Sequence, residues 1–180
     1  AMPSSSSVSI PFGLVKSEKV VKDKAQMNQA LSPASPLFLP LTQLSPQCSK
    51  LLSLVNDEKV NRKELITSEQ NLWREVKKLQ ALQDKANIFT YLIGYYHTIL
   101  YQLAKFSDSE NVFQYHILIR LGDLNRYLER LDVAEYYYCN ARNLFPNYGH
   151  AYNQLGLLTR KENFYKCCYY YARAAKSIKK

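Results

Sequence analysis

The stretch LFPNYGHAYNQLG, residues 144–156, is the most informative part of the chain because it contains the end of one predicted helix and the start of the next. Pro146 lies just after an apolar helical pattern, and a proline commonly follows a helix that it cannot continue. Residues 152–156 then begin a new pattern of helical spacing. The stretch therefore predicts a junction between two pairs of helices.

The pattern on either side of this junction recurs at an offset of 34 residues. The matched residues are Leu121-Gly122 with Leu155-Gly156, Leu124 with Leu158, Arg126 with Arg160, Tyr136-Tyr137 with Tyr170-Tyr171, and Ala141 with Ala175. A 34-residue period with a small residue in the first helix, an aromatic and alanine-containing second helix and a closing proline is typical of tetratricopeptide hairpins. We expect Gly122 and Gly156 to let the paired helices approach closely.

Helical spacing also predominates outside the repeat, and no segment has a convincing strand pattern. We predict a flexible arm over residues 1–16, a weakly helical segment over 16–32 and a connector with four prolines over 32–46. From about residue 41 the pattern turns helical, and the three-to-four spacing is kept by Leu44, Cys48, Leu51, Leu52 and Val55. A long helix over 61–86 and a central helix over 87–106, apolar on nearly all sides, follow. The predicted fold class is all-α, with antiparallel helical hairpins and about seven to nine helices.

The composition favours an acidic partner. The 180 residues include 24 basic and 15 acidic side chains, which give a net charge of +9, and 15 tyrosines. Such a charge suits nucleic acid, an anionic surface or a phosphorylated peptide. The YYY clusters at 136–138 and 169–171 suit either a core or an interface. We expect them in the core because they recur at close to the repeat period.

Motifs for catalysis and metal binding are missing from the sequence. It has no glycine-rich phosphate loop, no HExxH and no GxSxG. The four cysteines form no CxxC pair and the three histidines are scattered, so we expect buried free thiols rather than a zinc site or disulfides. No apolar run reaches 18 residues and no signal peptide is recognisable. We predict a protein that is not an enzyme, needs no cofactor and is cytoplasmic, with shuttling to the nucleus left open.

The stretch LGDLNRYLE, residues 121–129, is the candidate binding site. On a helix, Asp123 lies within one turn of Arg126 and Tyr127. One interpretation is a solvated helix face with a local ion pair. The other is an anion cradle, because an arginine fork beside a tyrosine hydroxyl suits a phosphate dianion.

A second basic row lies on the predicted long helix. Lys78 and Lys85 are seven residues apart and therefore share a face, with the small Ala81 between them and Arg74 one turn earlier. This row is either a solvated lysine face or the second half of a phosphate clamp. The clamp requires the two helices to face each other.

Two motifs carry a resemblance to 14-3-3 proteins. Gly-Asp-x-x-Arg-Tyr-Leu, residues 122–128, is similar to the 14-3-3 motif whose Arg and Tyr hold phosphoserine, and AYNQLGLL, residues 151–158, looks like the 14-3-3 helix whose Asn grips the ligand backbone. The resemblance implies that Arg126 and Tyr127 bind phosphate and that Asn153 binds the peptide backbone.

The lysine row fits the same resemblance with one departure. 14-3-3 proteins place a Lys and an Arg seven residues apart on one helix, and Lys78 and Lys85 have that spacing. Lys85 stands where the 14-3-3 family has Arg, so it would assist as a point charge rather than bind phosphate through two hydrogen bonds.

The combination of motifs resembles one family more closely. LWREVKKL, HILIRLGDLNRY, AEYYYCNARNLFPNYGHAYNQLG and CCYYYARA look like the SMG adaptors of nonsense-mediated mRNA decay, relatives of the ever-shorter-telomeres telomerase subunits. The resemblance covers roughly residues 60–180, and 110–172 is its specific part. It implies a 14-3-3-like domain over 17–180, with tetratricopeptide-like hairpins from about 112–180, in a piece of a longer protein. The implied partners are a phosphorylated RNA helicase of the decay pathway and a paralogous adaptor that forms a heterodimer.

Two other functions are the alternatives. A nucleic-acid-binding domain would use the net charge and the tyrosine clusters, and its affinity would fall steeply with salt. A dimerisation scaffold with a degenerate phosphate pocket would use an apolar, tyrosine-rich surface. Its dimer would survive charge reversal at Arg126.

Overall fold

The computed structural model describes residues 38–57, 60–81, 85–104, 112–160 and 163–177. Contacts within the chain divide it after Phe38, and the helical domain is the unit Leu39–Lys180. The arm predicted over 1–16 and the weakly helical segment over 16–32 lie outside the described residues.

The described residues form seven α-helices and no strand, so the predicted all-α class is confirmed. They are α1 (Phe38–Val55), α2 (Arg62–Lys78), α3 (Lys85–Leu103), α4 (Val112–Tyr127), α5 (Leu131–Leu144), α6 (Gly149–Thr159) and α7 (Phe164–Ala175), with a short 3₁₀ helix over Leu79–Ala81. Within the described ranges, no helix combines the length and apolar character needed to cross a membrane.

Helix α1 begins inside the predicted proline connector, so the connector prediction is wrong from Phe38 onward, whereas the helical pattern predicted from about residue 41 is confirmed. Pro40 lies in the first turn, where a helix does not need the backbone N–H that proline lacks. Pro46 lies inside the helix and removes one hydrogen bond. The apolar stripe nevertheless continues past Pro46, so burial outweighs the lost bond. The buried residues of this stripe are Leu44, Cys48, Leu51 and Val55.

The single long helix predicted over 61–86 is wrong. Asn61 caps the start of α2 by accepting the backbone N–H of Lys63. The helix ends at Lys78, tightens into the 3₁₀ turn, and α3 starts separately at Lys85. The Tyr96 hydroxyl of α3 donates to Glu69 of α2, so the chain reverses direction between the two helices. No proline or glycine occurs between the two helices, so local propensity does not indicate the break.

Helix α4, rather than the predicted 87–106 helix, is the central element. Eleven of its sixteen residues are buried, whereas α3 buries one stripe and exposes Tyr91 and Tyr101 on its outer face. The prediction that α3 is buried on most sides failed because tyrosine was counted as apolar in the pattern, although its side chain tolerates exposure to solvent.

Helices α4–α5 and α6–α7 form the two predicted hairpins. Gly122 faces the ring of Tyr138, and a Cβ at this position would overlap that ring. Gly156 faces Tyr171, and a Cβ on Gly156 would lie 3.0 Å from the edge of that ring. The Tyr115 hydroxyl accepts the backbone N–H of Ala151 at 3.0 Å and joins the first hairpin to the second. The close approach predicted at both glycines is thus confirmed.

The tyrosine clusters and the cysteines divide between core and surface. Tyr138 and Tyr170 are buried, while Tyr136 and Tyr169 are more than half exposed, so the prediction of core placement holds for part of each cluster. The four cysteines are free thiols, of which Cys48 and Cys167 are buried, Cys139 is half-buried and Cys168 is exposed. Burial raises the pKa of Cys48 to about 12. The prediction of buried thiols is wrong for Cys168.

Candidate functional site

Arg126 is held by two polar groups and one ring. Its Nη2 donates to Oδ1 of Asp123 at 3.4 Å, and its Nε donates to the hydroxyl of Tyr138 at 3.3 Å. The guanidinium carbon lies 4.6 Å from the centroid of the Tyr127 ring, a cation–π distance. The side chain is 26% exposed, so it reaches solvent from a mostly enclosed position.

Asp123 is therefore a buried anchor rather than part of a solvated face. The Tyr138 hydroxyl donates to its Oδ1 at 2.7 Å, the shortest bond of this network. Burial works against the charged form of Arg126. The hydrogen bond that Arg126 donates to Tyr138 and the charge of Asp123 outweigh this effect and raise the arginine pKa. Burial, followed by the charge of Asp123, also raises the pKa of Tyr138. The guanidinium stays charged and the phenol stays neutral at physiological pH.

Tyr127 joins this network to the first helices. Its ring stacks on Trp73 of α2 with 6.5 Å between centroids and contacts Phe89 of α3 at 5.8 Å. Arg126 covers the same ring, so one aromatic group touches three helices. The 121–129 stretch therefore contacts α2 through these rings, a condition that the phosphate clamp requires and that the sequence left open.

A buried ion pair sets the register of α2 against α4. Arg120 donates from Nε to Oε1 of Glu69 at 2.7 Å and from Nη2 to Oε2 at 3.2 Å. The Tyr96 hydroxyl also donates to Oε1 of Glu69, and the guanidinium carbon lies 4.6 Å from the centroid of the Trp73 ring. Burial disfavours the arginine charge, but Glu69 outweighs it and raises the Arg120 pKa. Periodicity did not predict this pair, although Glu69 occupies an apolar-stripe position between Leu65 and Leu72.

The lysines differ in how they relate to this arrangement. Lys78 is exposed and binds both carboxylate oxygens of Glu75 at 2.8 Å. Lys85 starts α3, one turn before Phe89, and is half-buried. The shared helix face predicted for the two lysines is wrong because the chain leaves α2 between them.

Lys77 is a further basic residue near the site, and the sequence did not single it out. It lies one turn after Trp73 and so shares the side of α2 that meets Tyr127. Burial and the Arg120 charge lower the pKa of His150 on α6, and the Asp123 charge raises it. The Lys77 charge adds a smaller lowering effect. The i+4 spacing from Trp73 is the sequence signal that indicates this lysine.

Asn153 lies on α6, the first helix of the second hairpin. It is exposed and lines a cavity of about 380 Å³ with Gly149, His150, Tyr171, Ala174 and Ala175. His150 is tied to the next turn by a 3.1 Å contact between its Nε2 and Nε2 of Gln154. Burial lowers the His150 pKa, so the ring is neutral at pH 7. The structure brings Arg126 and Tyr127 together, and Asn153 shares its cavity with His150, whose pKa the Asp123 charge raises against the larger effect of burial.

Comparison with known proteins gives one family match and a similarity to a curated protein. Residues 134–179, which include most of α5 and all of α6 and α7, match the family described as the Est1 DNA/RNA binding domain. A segment of 60 residues is 40% identical to the nonsense-mediated mRNA decay factor SMG7 of Danio rerio. It amounts to 33% of this chain and only 5% of that relative. These matches confirm that the chain is similar to the Est1/SMG family, as its motifs predict.

Proposed function

We propose that this domain is a non-enzymatic adaptor that binds phosphoserine peptides at Arg126 and Tyr127. The observation that carries the proposal is the fixed guanidinium of Arg126, which lies on the Tyr127 ring and reaches solvent. A preorganised arginine loses little conformational freedom when it binds an anion, which favours phosphate recognition. The nearby Asp123 already accepts from Tyr138 and Arg126, so its charge is partly compensated.

Lysines from two helices supply the remaining positive charge in this proposal. Lys78 ends α2 and Lys85 begins α3, and the Trp73 and Phe89 rings of the same helices contact Tyr127. Lys78 would exchange Glu75 for the phosphate, a change of small cost because an exposed ion pair contributes about 0–1 kcal/mol. Lys77 is an additional candidate from its position one turn after Trp73. Asn153 would hold the peptide backbone beyond the phosphoserine.

The family resemblance supports the choice of partners. SMG7 is named as a nonsense-mediated mRNA decay factor. We extend this to a role in the same process, with a phosphorylated RNA helicase as the ligand, a paralogous adaptor as the heterodimer partner and the cytoplasm as the location.

Fluorescence polarisation with matched phosphoserine-glutamine and unmodified serine-glutamine peptides tests the proposal. We expect the wild type to prefer the phosphorylated peptide and Arg126→Glu to lose that preference. Arg160→Glu is the matched control, because Arg160 is the exposed counterpart of Arg126 at the 34-residue offset. Equal binding of the phosphopeptide by folded Arg126→Glu and wild type would overturn the assignment.

A parallel pair of lysine variants assigns the second charge. If Lys78 contacts the phosphate, Lys78→Glu abolishes phosphate-dependent binding and Lys77→Glu weakens it less. The opposite order would assign the contact to Lys77. Melting curves of both variants check that each domain remains folded.

A second function is favoured by the surface of α7. On α7, Phe164, Tyr165 and Tyr169 are 72%, 86% and 57% exposed, and Arg173 lies one turn after Tyr169. Exposed rings beside basic groups suit stacking of single-stranded bases, and the matching family is described as DNA/RNA binding. Binding of single-stranded RNA that weakens with salt and with Tyr165→Ala, but not with Arg126→Glu, would support this function.

A further inference from the structure

The two hairpins share the packing of a tyrosine ring on a glycine, but they differ in the polar groups around it. Tyr138 packs on Gly122, and Tyr171 packs on Gly156. In the first hairpin the ring carries its hydroxyl to Asp123 and Arg126. The residue that corresponds to Asp123 in the second hairpin is Leu157, which is 42% exposed. Arg160, the counterpart of Arg126, is exposed.

This difference separates what the fold needs from what Arg126 needs. Both hairpins close with a ring on a glycine, so the ring alone satisfies the packing requirement. The second hairpin closes without the Asp, so the buried Asp123–Tyr138–Arg126 network is not required to form a hairpin. A buried carboxylate also carries a desolvation cost that a leucine does not.

We propose that Tyr138 and Asp123 are positioning residues that hold Arg126 in the orientation that receives the phosphate. This inference rests on the proposed function for its purpose, but the positioning itself is independent of any ligand. Tyr138 fixes Nε at 3.3 Å, Asp123 fixes Nη2 at 3.4 Å, and Tyr127 supports the flat face. These contacts occupy one edge of the guanidinium, so a ligand is offered the remaining Nη1 side.

Gly122 contributes to the same positioning of Arg126, because it sets the place of the Tyr138 ring. A Cβ at position 122 would overlap the Tyr138 ring, which would have to move away from α4. The hydroxyl would then leave Asp123, so the glycine determines how far the phenol reaches along the helix.

The test combines a ligand-free measurement with a binding measurement on Tyr138→Phe. This variant keeps the ring on Gly122 and removes only the hydroxyl. In the ligand-free protein, nitrogen-15 NMR follows the Nε–H signal of Arg126. We expect a signal that exchanges slowly with water in the wild type and broadens or exchanges faster in the variant. In fluorescence polarisation with the phosphoserine-glutamine peptide, we expect affinity to fall about threefold to tenfold, the size of one or two net hydrogen bonds.

Tyr171→Phe is the matched control for the ring-on-glycine packing of the second hairpin, and it should leave the Arg126 signal unchanged. Asp123→Asn is a second variant that keeps an acceptor for the Tyr138 hydroxyl but removes the charge. It should preserve the Nε–H signal and weaken the bond from Nη2, because the oxygen that accepts both groups loses its charge, and this shows as faster rotation of the guanidinium.

The possible results separate the two proposals. An unchanged Nε–H signal in folded Tyr138→Phe overturns the positioning role, whatever the peptide does. A changed signal with no phosphate-dependent binding in the wild type supports the positioning role and overturns the proposed function. A changed signal with lower phosphopeptide affinity, and an unchanged Arg126 signal in Tyr171→Phe, supports both.

Discussion

Glu69 and Arg120, 51 residues apart in the chain, meet through two hydrogen bonds of 2.7 and 3.2 Å in the interior of the domain. The carboxylate is only 1% exposed, and the Tyr96 hydroxyl donates to the same oxygen as Nε of the arginine. The pair joins α2, whose last residue is Lys78, to α4, whose last residues are Arg126 and Tyr127. The relative position of the two halves of the candidate site depends on it.

Replacing one partner of this pair should destabilise the domain strongly. Arg120→Met leaves the Glu69 charge buried without its partner, and we expect a loss of about 3–5 kcal/mol in the free energy of unfolding. Urea denaturation followed by circular dichroism measures it. The double variant Glu69→Leu with Arg120→Met should recover much of the loss, since no unpaired charge remains. Glu135→Ala, which removes an exposed pair with Lys166, should cost under about 1 kcal/mol. Equal losses from the buried and exposed replacements would contradict this expectation.

Alanine at the glycine positions should have effects that follow the space around each one. Gly122→Ala should cost about 1–3 kcal/mol, because a Cβ would overlap the Tyr138 ring. Gly156→Ala should cost less, since the nearest ring atom is 3.0 Å from the Cβ position. Gly94→Ala should stabilise the domain by about 0.5–1 kcal/mol, because Gly94 lies in α3 and a Cβ added there would have no neighbouring atom within 4 Å. Thermal melting of the three variants gives the order, and a harmless Gly122→Ala would refute the packing argument.

The turn after α4 should gain stability from a glycine. Glu129 has a φ of 60°, and the Arg130 backbone N–H donates to the Asn125 carbonyl at 2.9 Å to close the helix end. A side chain in this left-handed conformation is strained, so Glu129→Gly should raise the free energy of unfolding by about 0.5–1 kcal/mol. Glu129→Ala keeps the strain and serves as the control. A gain of the same size in both variants would mean that the charge, rather than the backbone, is responsible.

The domain should lose stability as the pH falls from about 6.5 toward 4. Burial, the Arg120 charge and the His150 charge lower the pKa of His116 from 6.5 to about 4. Between these values the unfolded chain binds a proton that the folded chain does not, so acid favours unfolding. We expect a loss of about 1–2 kcal/mol at pH 5 from this residue. His116→Gln should reduce the slope of stability against pH, as measured by urea denaturation at several pH values. A wild type that gains stability between pH 7 and 5 would contradict the assignment.

Much of the fold follows from periodicity, and the failures have identifiable causes. The 34-residue offset predicts both hairpins and the role of Gly122 and Gly156, because those contacts are local. The break after Lys78 is not predictable from LQALQDKA, because this stretch has neither proline nor glycine and consists mostly of good helix formers. Pro40 obscured the first turn of the helix Phe38–Val55, whereas the apolar stripe from Leu44 onward follows from its spacing.

The candidate site was predictable in its arginine half and less so elsewhere. The Asp123–Arg126 pair follows from i, i+3 spacing, and the distance of 3.4 Å confirms it. The approach of Tyr138 to Asp123 depends on how deeply a ring fits over Gly122, which spacing cannot give. Glu69 could have been suspected as a polar residue in an apolar stripe, but its partner Arg120 belongs to a distant segment. The binding roles of all five site residues stay predictions, namely those of Lys78, Lys85, Arg126, Tyr127 and Asn153.

A crystal structure of the domain bound to a phosphoserine-glutamine peptide would show whether Arg126 and Tyr127 form the phosphate site. We expect phosphate oxygens within about 3 Å of the Arg126 guanidinium and the Tyr127 hydroxyl, with a lysine from α2 or α3 completing the site. Asp123 and Tyr138 should keep their 2.7 Å bond in the complex. A phosphate bound elsewhere on the domain, with Arg126 still enclosed by Asp123 and Tyr138, would contradict the proposed phosphate site.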